Sequence, residues 1–161
     1  MNPFLYLMVL PGTLNHRCYS IGYGNRSFDE FLRILLDNGI TDLVDIRRYP
    51  QSTFEDFNRK SLETVLPKNG IRYVHCENVG GMRDSAYIEY MNTDEFRSGF
   101  EKLMNFIANV NEAGGRIVLM CAEKSPKGCH RHYLSNKLEE NSIEVIHLVE
   151  PGQMSLFKFC E

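Results

Sequence analysis

From residue 18 onward, short apolar runs alternate with segments whose apolar positions recur every three or four residues, the pattern of strands separated by amphipathic helices. This predicts an α/β fold in a single domain, with a mostly parallel five-stranded sheet and helices on both faces. The first strand is expected at about residues 18–23. After Gly24-Asn25-Arg26, Ser27 with Glu30 three positions on predicts a capping box. The helix it opens carries Phe28, Phe31, Leu32, Leu35 and Leu36 on one face. Asn38-Gly39 supplies a left-handed stop, and Leu43-Val44-Asp45-Ile46 reads as the second strand.

A polar stretch, residues 51–58, leads to a short helix expected to stop at Leu66, because Pro67 disfavours helical geometry in the residue before it. Residues 71–76 read as the third strand, and Gly80-Gly81 marks a sharp turn or a close approach of backbone. A loop to about Met91 follows. Asn92 with Glu95 is expected to open the longest helix, whose stripe is Phe96, Phe100, Leu103, Met104 and Ile107, closed by Gly114-Gly115. The continuous apolar run Arg116 to Cys121 predicts a central strand buried on both faces. Loop 123–128, a helix carrying His130, Arg131, Leu134 and Leu138, and a last strand over 143–149 complete the pattern. The domain is thus expected over 18–150, with an extension at 1–17, for which Met8 would be an alternative start, and a tail at 151–161. In the tail, Leu156, Phe157 and Phe159 predict docking on a sheet edge.

Composition narrows the class. The chain has 161 residues, 43% hydrophobic and 24% charged, close to globular averages, which disfavours disorder and fibrous forms. Lys and Arg number 18 against 21 Asp and Glu, a formal charge of -3. That balance gives no general electrostatic grip on nucleic acid. No apolar run is long enough to span a bilayer, so no membrane role is expected. The five cysteines, Cys18, Cys76, Cys121, Cys129 and Cys160, form no dense pattern, which favours a reducing, cytoplasmic setting.

Ligands of open parallel sheets bind beyond the carboxyl ends of the strands. Those ends here carry Gly22 to Arg26, Asp45 with Arg47 and Arg48, His75-Cys76-Glu77, Cys121 with Glu123, and Cys129-His130-Arg131 at a helix start. A thiolate at Cys129 would be favoured by helix N-terminal amides and by Arg131, so a nucleophilic or redox thiol at Cys129 or Cys121 is one reading. In it Arg26, Arg47 and Arg131 hold an anionic small molecule or nucleotide, and Asp45 or Glu123 handles a proton or orients an arginine. The alternative is a non-catalytic module for a nucleotide, nucleic acid or protein, in which Cys121 is a small buried hydrophobe and Arg131 pairs with Glu123 or Asp45. Zinc could use Cys121, Cys129, His130, His132, His75 and Cys76, but no diagnostic ligand spacing is present, so no metal ligands are assigned. Gly22-Tyr23-Gly24 lacks the third glycine of a dinucleotide fingerprint. A phosphatase-type loop would need its arginine much nearer Cys121 than Arg131 stands.

The ordered set Ser20 to Ser27, Leu43 to Arg47, Phe57-Asn58, Gly80-Gly81, Met120-Cys121-Ala122-Glu123 and Cys129-His130-Arg131 resembles the bacterial and archaeal family called domain of unknown function 488 over about residues 18–150. The resemblance implies one α/β domain and no established activity. It implies recurring residues at Gly22, Asn25, Arg26, Asp45, Arg47, Gly81, Cys121, Glu123, Cys129, His130 and Arg131. The chain departs from the family at Gln51-Ser52-Thr53, where a basic residue usually follows the proline, and at Val79, where leucine is usual.

Overall fold

The computed structural model describes residues 16–81, 86–125 and 130–148; the apolar run at Phe4 to Leu10, Arg83, Pro126, Cys129 and the tail with Leu156, Phe157 and Phe159 lie outside them. Strands β1 (His16–Gly22), β2 (Asp42–Asp45), β3 (Arg72–His75), β4 (Ile117–Cys121) and β5 (Ile143–Leu148) form one parallel sheet in the order β3-β2-β4-β1-β5. The central place of β4 follows from its composition, since all five of its residues are buried. β1 begins two residues before its apolar run, because His16 and Arg17 pair with Ile143 and Glu144 of β5.

Helices α1 (Phe28–Asp37), α2 (Arg59–Lys68), α3 (Tyr87–Tyr90), α4 (Asp94–Glu112) and α5 (Arg131–Glu140) cover the sheet. The crossovers that carry α1 and α2 step toward the β3 edge, and those that carry α4 and α5 step back toward the β5 edge. Right-handed crossovers in opposite directions must lie on opposite faces. Accordingly Phe31, Ile34 and Leu35 of α1 and Leu62 and Leu66 of α2 pack with Tyr19, Ile21, Val118 and Met120. Phe96, Phe100, Leu103 and Ile107 of α4 and Leu134 and Leu138 of α5 pack on the other face with Cys18, Leu119 and Cys121. Alternate residues of one strand thus feed two cores.

Beyond small shifts of strand ends, the expected elements differ from the structure in four places. Leu36 is exposed and Ile34 is buried in α1, because the buried stripe centres on positions 31, 34 and 35. α2 runs through Pro67 to Lys68. The bond that Pro67 cannot make would have gone to the exposed residue Glu63 one turn before the end, whose carbonyl is open to solvent there, and Leu66 beside it is buried in the core. α4 is capped by Thr93, whose hydroxyl accepts from the Phe96 amide at 3.2 Å, so its start lies one residue beyond the Asn92 cap. The loop before it contains α3, too short to show a helical period.

β1 and β4 are neighbours whose chains leave in opposite directions, which opens a crevice beyond their carboxyl ends. Phe31 is fully buried at the centre of the α1 face. Phe31→Ala is expected to cost about 3–5 kcal/mol by urea denaturation, and Ser27→Ala about 1 kcal/mol by loss of the cap to Glu30 N, which sits at 3.2 Å.

Candidate functional site

Beyond the sheet the β1–β4 ladder continues, with Tyr23 N donating to Cys121 O at 3.2 Å and Gly24 N to Ala122 O at 2.7 Å. A cleft of about 280 Å³ opens here, lined by Tyr23, Arg47, Arg48, Tyr49, Gln51, Gly81, Cys121, Ala122, Glu123 and His130. Of the residues expected at the site, Arg47, Gly81, Cys121, Glu123 and His130 therefore line it. Gly22, Arg26, Asp45 and Arg131 are buried behind its walls, Asn25 is exposed outside it, and Cys129 lies outside the described residues.

One wall is held by Asp45, a fully buried carboxylate at the end of β2. Its Oδ1 accepts from Arg47 N and Nε at 3.1 and 2.8 Å, and its Oδ2 accepts from Arg47 Nη2 at 2.7 Å and from the Tyr73 hydroxyl at 2.5 Å. Burial alone would lower the Arg47 pKa, but the adjacent carboxylate outweighs it and the net shift is upward. Burial, then the Asp45 charge, pushes the Tyr73 phenol up, so it stays a donor. Arg47 Nη2 also reaches Phe57 O at 2.8 Å and Nη1 reaches the Tyr23 hydroxyl at 3.3 Å. Asp45 thereby orients the arginine, with both oxygens occupied.

His75 extends this network. Its Nε2 donates to Arg47 O at 2.6 Å, which leaves Nδ1 as acceptor toward Arg59 Nη1 at 3.3 Å, an assignment set by the partners. Both ring nitrogens are thus engaged, and Cys76 packs against the α4 core. Burial raises the Cys76 thiol, and that of Cys18 much further. Among the described residues no group of three His, Cys, Asp or Glu side chains could hold a metal ion.

The second wall is the β4–α5 loop, tethered by Arg131. This nearly inaccessible guanidinium donates from Nη1 to Ser20 Oγ at 2.7 Å and from Nη2 to the backbone carbonyls of Glu123 and Lys124. Arg131 thus grips the loop backbone, and Asp45 pairs with Arg47. Arg26 likewise turns inward, with Nη1 donating to Gly22 O at 2.6 Å. Gly22 is required where the loop crosses, since a Cβ there would overlap Glu123 O and come within 2.7 Å of Arg131 Nη2.

At the floor, Cys121 Sγ lies 3.9 Å from His130 Nδ1. His130 precedes α5 without capping it by its side chain, and its ring faces Tyr87 at 5.2 Å. At the mouth, the Arg48 guanidinium lies 5.1 Å from the centre of the exposed Tyr49 ring. Gln51 and Ala122 are wall residues that sequence reasoning did not select; the family departure at Gln51 was the only signal for that position.

Two outcomes follow. Asp45→Asn should destabilise the protein by about 3–5 kcal/mol in denaturant titration, because it leaves Arg47 buried without its counter-charge. His147 of β5 is pushed down to about 4 from an ordinary 6.5 by burial, with Arg131 and His132 adding to the effect. The native state therefore binds fewer protons than the unfolded state between those values, and the stability present above pH 6.5 is lost as pH falls toward 4. In His147→Gln the slope of Tm against pH over that window should be shallower.

No curated protein and no solved structure matches the chain. A family model described as "Domain of unknown function DUF488" matches residues 27–138, a span that runs from the cap of α1 through Leu138 of α5 and contains Asp45, Arg47, Gly81, Cys121, Glu123, His130 and Arg131. With that match covering most of the chain and most of the residues that line the cleft, the protein belongs to the DUF488 family.

Proposed function

We propose that the cleft binds a small anionic molecule, of nucleotide size at most, and that Cys121 acts there as a nucleophile or redox thiol with His130 as its proton partner. The reading rests on one observation: a thiol and an imidazole 3.9 Å apart share a cleft with two arginines. That separation is at the long end for a sulfur hydrogen bond, as resting catalytic pairs often are before a ligand tightens them. Transfer of the thiol proton to His130 would leave a thiolate facing the cleft, the reactive form of cysteine. Arg47 spends its donors on Asp45, Phe57 and Tyr23, so electrostatic attraction of the ligand falls mainly to Arg48 at the mouth. The exposed ring of Tyr49 offers an apolar surface to a planar portion of the ligand. The volume lies near the lower limit of small-molecule sites, which favours a compact ligand over a dinucleotide.

The site's other face supports a second reading, a non-catalytic binding module. Arg26 and Arg131 direct donors to backbone carbonyls and a hydroxyl, as expected of a rigid scaffold. Cys18, Cys76 and Cys121 carry no disulfide and among the described residues no helix is long and apolar enough to cross a membrane. A reducing, cytoplasmic setting is part of this proposal, on the ground that the five cysteines form no dense pattern.

Iodoacetamide labelling at pH 7, resolved by peptide mass spectrometry, tests the thiol. Of the three described cysteines Cys121 should react first, while Cys18 and Cys76, whose thiols burial raises, should react only as the protein unfolds. Adenosine monophosphate and inorganic phosphate serve as probes of the anion site. Protection of Cys121 by either should weaken by about tenfold or more in Arg48→Ala, the scale of one lost charge-assisted hydrogen bond. A Cys121 that stays inert until unfolding sinks the catalytic reading and leaves the binding module.

A further inference from the structure

His130 stands where α5 begins and makes no side-chain cap, so its own helix does not set the direction of its ring. Its neighbours do. A Cβ on Gly81 would come within 2.8 Å of His130 Nδ1 and 3.2 Å of its Cγ, so the Gly81 backbone lies close against the imidazole. The φ of Gly81 lies outside the left-handed region. Glycine is required there for space, and that space is filled by the histidine.

The turn that carries Gly81 is wedged from two further sides. A Cβ on Gly80 would overlap Ile46 O and come within 2.6 Å of Arg48 N, which presses the turn onto the exit of β2. A Cβ on Gly99 of α4 would come within 2.6 Å of Asn78 Cβ, so the long helix presses from behind. Tyr87 closes the far side. Its ring packs on His130 at 5.2 Å and edge-on against Phe96 at 6.0 Å, and its hydroxyl donates to Val79 O at 2.7 Å in the same turn. Tyr90 adds a bond from its hydroxyl to Asn78 O at 2.6 Å.

We infer that Gly81 and Tyr87 form a seat that fixes the His130 imidazole against the Cys121 sulfur, which makes both of them positioning residues of the thiol–imidazole pair. The inference rests on the reading of Cys121 and His130 given above. It also changes the role of Gly81, whose open face belongs to the imidazole ring and leaves the ligand to be held by other walls. A methyl group at position 81 displaces the ring by a fraction of an ångström to about an ångström, a scale at which catalytic geometry is lost.

The test is the rate of Cys121 alkylation by iodoacetamide as a function of pH in the full chain, with Cys76 labelling and circular dichroism as controls on folding. His130→Ala defines the loss of the imidazole. Gly81→Ala and Tyr87→Leu should each slow Cys121 at pH 7 by about tenfold or more and move its pH profile toward that of His130→Ala, the scale expected when a positioned base is lost. Tyr87→Phe, which keeps the ring, should restore the native profile. If Gly81→Ala does not fold, Tyr87→Leu and Tyr87→Phe carry the comparison. Native rate and profile in a folded Tyr87→Leu, with the rate lost in His130→Ala, would overturn the seat and leave the pair standing. An unaltered profile in His130→Ala would overturn both.

Discussion

The carboxyl edge of this sheet is organised by the charge of Asp45, which is fully buried at the end of β2. A carboxylate in that position is tolerated only with a counter-charge and a full set of donors. Arg47, two residues on, turns back to supply most of them, and Tyr73 from β3 supplies another. Having turned inward, the guanidinium takes Phe57 O and the Tyr23 hydroxyl as further acceptors. One ion pair thus ties the ends of β1 and β2 and Tyr73 of β3 to the segment before α2, and Phe57 stacks on Tyr23 at 4.3 Å as the apolar complement.

Arg131 does the equivalent work on the other side of the crevice. Its bonds to Ser20 and to the carbonyls of Glu123 and Lys124 draw the β4–α5 loop over Gly22, where no side chain fits. The two arginines that dominate the interior are therefore structural members of the cleft: Arg47 is offset by the Asp45 carboxylate, and Arg131 directs its donors to a hydroxyl and backbone carbonyls. Arg48, stacked by Tyr49 at the rim, and the acidic Glu123 face the entrance instead. For the proposed ligand, such a site would select by shape and by a few placed groups, which fits a compact molecule better than a phosphate backbone.

The histidine is placed by a third mechanism, packing against backbone. Gly80, Gly81 and Gly99 each lie where another chain segment needs the volume of a side chain, so residues 78–81 fit closely among β2, α4 and His130. A ring held between the Gly81 backbone and Tyr87 has few rotamers left, which is the preorganisation that the proposed thiol–imidazole pair requires.

The order of strands and helices was legible along the chain because it depends on short-range spacing: the alternation of apolar runs, the Ser27 cap, the left-handed Gly39, the unbroken apolar stretch of β4. Errors fell where a local preference was overruled or too brief to read, as with Pro67 inside α2 beside buried Leu66, and with the four-residue α3. The strand-end rule also located the edge that carries Arg47, Cys121, Glu123 and His130. What local pattern could not determine was which of those residues share a cavity. Cys121 and His130 are joined because the loop from β4 to α5 is pulled over Gly22, and Arg26, Arg47 and Arg131 face the interior because buried carbonyls and Asp45 need their donors. Those choices depend on contacts among β1, β2, β4 and α5 that arise only when the crossovers bring them together, so the tertiary structure decided them.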